Sequence, residues 1–147
     1  MRSISRILIA GCLTSLSLVP TAYAEGERLL TGEELQLLFP GLIAHFDQGV
    51  KTKEFKYFSD GKMTRHKIFS KQGVSADGKW RVEDNKMCFR LVLWREGKPD
   101  ICNHYGLEGV TDEVKEIDFG AIKGKKLLVL REDGSIKNRA NVKDKKN

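Results

Sequence analysis

From residue 42 onward the chain alternates apolar and polar residues in short runs, and glycine-, aspartate- or asparagine-bearing turns separate them. A period of two is the pattern of a half-buried strand. Leu42 to Phe46 is the first such run. "KEFKYF" follows, with Phe55 and Tyr57 on one face. Ser59-Asp60-Gly61-Lys62 predicts a tight hairpin turn. "KMTRHKIF" returns from it, with Met63, Arg65, Lys67 and Phe69 on one face and Thr64, His66 and Ile68 on the other. Ser70 to Gly78 reads as a polar loop, and "KWRV" as a strand with Trp80 and Val82 on alternating positions. Glu83 to Lys86 is a turn. "MCFRLVLW" sets Met87, Phe89, Leu91 and Leu93 against Cys88, Arg90, Val92 and Trp94. After the turn "REGKPD" come "ICNHYGL" and a last predicted pair, "EVKEIDF" and "KKLLVLRE".

One segment breaks this rhythm. In "LLTGEELQLLFPG", Thr31 is a helix N-cap and Glu34 stands three residues on, the spacing of a capping box. Leu35, Leu38 and Phe39 share a face, and Pro40-Gly41 ends the helix. Two turns of helix persist only against an apolar surface. The prediction is a mainly β protein: a single antiparallel sheet of about eight short strands, curled into a barrel-like (calycin-like) fold, with one short N-terminal helix. Closure removes exposed edges and favours a barrel over the alternative, a two-layer sandwich.

The two ends of the chain bound its organisation. Arg2 and Arg6, the apolar run from Ile7 to Val19, Pro20 and Ala22-Tyr23-Ala24 form the three parts of a signal peptide cleaved after Ala24. The run is too short to span a bilayer. "LIAGC", Leu8 to Cys12, offers a second outcome, a lipoprotein acylated at Cys12. The expected organisation is a signal peptide at 1–24, a β-barrel-like domain at 25–134 and a basic tail at 135–147. Charge sharpens the last boundary. The chain holds 26 basic and 20 acidic residues, but residues 25–134 balance to zero, so the high isoelectric point belongs to "SIKNRANVKDKKN". That segment reads as disordered, either a solubilising end or a tether to an anionic membrane surface. The expected compartment is the periplasm.

Candidate chemistry is sparse. Beyond the signal two cysteines remain, Cys88 and Cys102, and an even pair in an exported chain implies a disulfide. Counted inclusively it closes a 15-residue loop, worth on the order of 3 kcal/mol. The turn residues sit off-centre between them, which predicts a wide loop or a bulge. His45, His66 and His104 are candidate metal ligands, one on each of three predicted strands, without a ligand spacing between any two. No G-x-S-x-G, H-E-x-x-H, P-loop or G-x-G-x-x-G is present, so neither an enzyme nor a cofactor is predicted. Lys51 to Lys71 carries seven basic and two acidic residues among aromatic ones. Lys56, Lys62, Arg65 and Lys67 are therefore a candidate surface for an anionic partner. Nucleic acid is not an expected partner of an exported protein.

Gly78-Lys79-Trp80 lies mid-chain, whereas the G-x-W of lipocalins opens their first strand, so it predicts an inward tryptophan plug and nothing about a pocket. "LTGEELQLLFPG", "YFSDGKM", "GKWRVEDNKMCF", "DIC" and "YGLEG" together resemble a family of small exported proteobacterial proteins known only as a domain of unknown function. The resemblance implies the fold and the compartment and brings no catalytic residue with it. The functional expectation is an exported, disulfide-stabilised binding or interaction module whose partner is a small molecule or an envelope protein. A metal-handling or enzymatic site on the histidines and a tail-tethered envelope protein are the alternatives. The basic hairpin and the open mouth of the sheet are where a working surface is expected.

Overall fold

The computed structural model describes residues 28–69, 72–92, 98–110, 112–116 and 118–146. Eight antiparallel strands form one closed barrel in chain order: β1 (Leu42–Gln48), β2 (Lys51–Tyr57), β3 (Lys62–Phe69), β4 (Gln72–Glu83), β5 (Lys86–Leu91), β6 (Ile101–Leu107), β7 (Lys126–Leu130) and β8 (Ile136–Lys145). Helix α1 (Gly32–Leu38) precedes β1, and a four-residue helix, α2 (Phe119–Ile122), lies between β6 and β7. The barrel closes where β8 pairs with β1, Ala44 opposite Val142 and His45 opposite Asn141. No described helix is long and apolar enough to cross a membrane.

Turn chemistry fixes the register of the hairpins. Asp84 and Asn85 both adopt positive φ (49° and 56°), as a two-residue type I′ connection requires. Gly61, at φ 81°, sits in the 58–61 turn, where Asp60 Oδ1 accepts from the Lys62 amide at 3.0 Å. Gly78 lies in mid-strand rather than opening β4. A Cβ there would stand 2.3 Å from the Arg90 carbonyl oxygen, so β4 and β5 approach each other only because this residue has no side chain.

One end of the barrel is plugged. Leu35, Leu38 and Phe39 are fully buried beside Leu42, Tyr57 and Tyr105. The Phe39 ring meets Tyr57 at 4.8 Å, Tyr105 at 5.0 Å and Trp80 at 5.9 Å between centroids. Trp80 packs partly buried against this cluster from the inward face of β4, its Nε1 donating to the Phe58 carbonyl at 2.9 Å. Ile122 and the partly buried Val110 and Val114, from the β6–β7 connection, pack against the same cluster.

Four expectations are corrected. The tail is not disordered: residues 136–145 are β8, with Ala140 and Val142 in the core. Residues 72–78 are strand rather than loop, and β4 runs on to Glu83. β5 ends at Leu91, where Val92 is 77% exposed in a turn; the remainder of "MCFRLVLW", including Trp94, falls outside the described residues. In place of the expected strand over 113–119, residues 113–116 and 118 are irregular connection and Phe119 opens α2. The count of eight therefore holds while one member changes. Both readings of residues 1–24, the cleaved signal and the acylated Cys12, also lie outside the described residues.

Candidate functional site

Antiparallel partners point to the same face, so the registers sort every strand residue into wall, interior or surface. Tyr57 lies opposite Met63, Phe55 opposite Arg65 and Lys53 opposite Lys67. Phe55, Tyr57 and Met63 are core residues, and Lys53, Arg65 and Lys67 therefore face the barrel interior with them. The next ladder places Ala76 opposite Arg65 and Val74 opposite Lys67. Lys51, Lys53, Lys67 and Val74 approach the unplugged end, and Val74 is 52% exposed there.

A cavity of about 220 Å³ opens at this end. Its walls are mainly apolar: Phe46, Phe55, Tyr57, Phe89, Tyr105 and Val129. Phe46 and Phe55 meet edge to face at 5.2 Å, and Phe55 and Phe89 at 6.0 Å. Gln48, Lys53, Asn103, Lys137 and Asn138 supply its polar groups, with Ile101, 38% exposed, among them. A dry apolar cavity of about 150 Å³ is enough to take up benzene. This one therefore has room for a ring or a short alkyl segment, and a longer ligand would emerge at the mouth. Burial raises the Tyr57 and Tyr105 phenols above their ordinary range, so both line the cavity as neutral hydroxyls.

A second hollow, of about 170 Å³, lies against the first and shares Gln48 and Lys53 with it; Lys51, Thr52 and Lys67 complete its lining. Burial lowers the Lys53 pKa, and the neighbouring Lys67, Arg65 and Lys51 charges lower it further. Burial likewise lowers that of Arg65. Arg65 Nε is buried without a hydrogen-bond partner among the described residues.

The candidate residues of the sequence fall in several places. The Cys88–Cys102 disulfide forms, between residues directly opposed on β5 and β6 with Cα atoms 4.0 Å apart. The ladder there has no bulge; the off-centre turn residues between the cysteines lie partly outside the described residues. Arg81 and Arg90 both pair with Asp100 on the outer face near it, Arg90 Nε at 2.6 Å. His45, His66 and His104 all lie on the outer face. Glu54 stands between the first two, opposite both in register, and its Oε2 lies 2.7 Å from His45 Nε2. His66 Nδ1 pairs instead with Ser75 Oγ at 2.7 Å. His104 is on β6, its Nε2 3.5 Å from Glu132. With β7 and β8 between β6 and β1, the three histidines do not converge, and among the described residues no three His, Cys, Asp or Glu side chains form a metal-sized group.

The candidate anionic-partner surface also divides. Lys56 and Lys62 lie outside and are paired, with Glu54 at 3.1 Å and Asp60 at 3.1 Å. Arg65 and Lys67 lie inside. The alternation of "KMTRHKIF" puts Lys62 on the face opposite Arg65 and Lys67, and that of "KEFKYF" puts Lys56 opposite Phe55 and Tyr57; which face is the interior depends on the closed register. Lys137, Asn103 and Asn138 gave no local signal, because strands distant in sequence bring them to the cavity.

Comparison of the chain with protein-family models, curated proteins and solved structures finds no match.

Proposed function

We propose that this protein is a binding module that takes a small apolar or amphipathic molecule into the open end of its barrel. One observation carries the reading. The barrel is plugged at one end by α1, while at the other a ring-walled cavity of about 220 Å³ opens to solvent, with Ile101 exposed at its mouth. A barrel with no binding task is stabilised by filling that space with its own side chains. A concave, mostly apolar site with a few polar groups suits small-molecule binding.

Export belongs to the same proposal, with cleavage after Ala24 and residence in the periplasm. It is supported by the three-part N-terminal pattern and by a disulfide of the kind that persists in oxidising compartments. A tether through a mobile basic tail loses its premise, because the residues that would form it build β8.

The test is calorimetric titration of the mature chain with 1-octanol and with octanoate. The cavity should take up at least one of them at millimolar concentration or below. Asn103→Phe, which projects a ring into the cavity, should weaken that binding by about tenfold or more while leaving the far-ultraviolet dichroism unchanged. If neither compound binds at the limit of solubility, or if a folded Asn103→Phe protein binds as well as the parent, the reading is wrong.

A further inference from the structure

The three cations aimed inward are at odds with the rest of the barrel. Strand interiors are apolar because an ion taken out of water loses its hydration, and a buried charge persists when a counter-charge repays that loss. Here there is none. Among the described strand residues that face inward, none is Asp or Glu. Lys53, Arg65 and Lys67 have no ion pair or hydrogen bond to an acidic group of the described chain, in contrast to Lys56, Lys62, Lys86, Arg81 and Arg90 on the outside. Lys53 and Lys67 are direct cross-strand neighbours, the arrangement in which like charges oppose folding. The buried Arg65 Nε–H adds an unmet donor.

We infer that the ligand of this cavity is a small amphipathic anion, whose apolar body lies among Phe46, Phe55, Phe89 and Val129 and whose compact oxyanion head meets Lys53 and Lys67 in the adjoining hollow, with the Arg65 charge acting from beside them. The inference rests on the proposed binding role and deepens it. Lys53 lines both the apolar cavity and the cationic hollow beside it, so a single short molecule reaches both. The desolvation that lowers Lys53 and Arg65 is relieved when an anion arrives. A polyanion does not fit, because these cations lie within the mouth and not along an outer groove. A carboxylate and a phosphate or sulfate ester present the same head chemistry, and the test separates them.

The experiment compares octanoate, octyl phosphate and octyl sulfate with 1-octanol, by calorimetry on the mature chain at pH 7 and low salt. Octanoate, or one of the esters, should bind about tenfold or more tightly than the alcohol. The best of the three identifies the head. Lys53→Met and Arg65→Met should each collapse that preference toward unity, and both should keep or raise the melting temperature, since each removes an unpaired charge from the interior. Lys67→Gln provides the same readout should either methionine variant fail to fold. Equal binding of alcohol and anions, or an anion preference unchanged in the folded variants, overturns the inference and leaves the cavity as a site for neutral ligands. Absence of binding by all four compounds removes both readings.

Discussion

Glu34 is 2% exposed and surrounded by donors. Arg28 Nη1 donates to it at 2.8 Å, the Thr31 amide at 2.8 Å and the Val114 amide at 2.7 Å. The Arg28 hydrogen bonds first, then the Val114 and Thr31 amides, outweigh burial and hold its pKa at about 2, below the ordinary 4.5. A depressed carboxylate pKa contributes stability that is present above the unfolded value and lost as pH falls through the folded one. Glu34→Gln should therefore cost about 3 kcal/mol at pH 7, and the gap between parent and variant should close between pH 4.5 and 2. Urea unfolding of both proteins at pH 7 and pH 2.5 measures this; a gap that does not narrow in acid would show that the carboxylate's charge is not the cause. Thr31 and Glu34 announce their capping box in the sequence because its partners are three residues apart. Arg28 and Val114 are 6 and 80 residues from Glu34, and only the fold reveals that the cap is also a clasp between the helix and the β6–β7 connection. Lys53 and Arg65 show the same limit: alternation places Arg65 on a face with Met63, but closure decides that this face is the interior one.

At the scale of elements, β8 is the instructive case. Ile136, Asn138, Ala140 and Val142 alternate with Lys137, Arg139, Asn141 and Lys143, so the strand period is present. One of the first four, Asn138, is polar, and five basic residues in thirteen give the segment the composition of a disordered end. Its stability comes instead from two neighbours, β1 and β7, and Lys145 adds a third tie by donating to the Leu37 and Leu38 carbonyls at 2.5 Å and 3.1 Å. There it serves the C-terminal carbonyls of α1, which lack intrahelical partners. Truncation after Gly134 should thus unfold the domain, because it opens the barrel along two edges and exposes the plug. Loss of a cooperative thermal transition is the expected observation; a truncated chain melting within a few degrees of the parent would contradict the role given to β8. The converse error, a strand expected over 113–119, arose from scattered Val114, Ile117 and Phe119. Val114 does turn to the core, but from an irregular connection.

Across the whole molecule, the two ends of the barrel differ in kind. One is sealed by aromatic packing around Phe39 and clasped by Glu34; the other is open, ring-walled and cationic. Fold class, the capped helix, the inward face of Trp80 and the disulfide were legible because each is written in local spacing or residue type, whereas the first half of β4 and all of β8 were not. The site was legible only as two halves, a basic hairpin and an open mouth, because their union requires β2 and β3 to meet β5 through β8 around a closed ring. The proposed function puts a ligand inside that ring. Amide chemical-shift mapping of the labelled mature chain during titration with octanoate tests it most directly. Shifts should concentrate at Lys53, Phe55, Asn103, Val129 and Asn138 around the mouth and leave Gly61, Lys79 and Arg90, around the outer hollow beside Trp80, in place. Shifts at that outer hollow with a silent mouth, or no shifts at saturation, would contradict it.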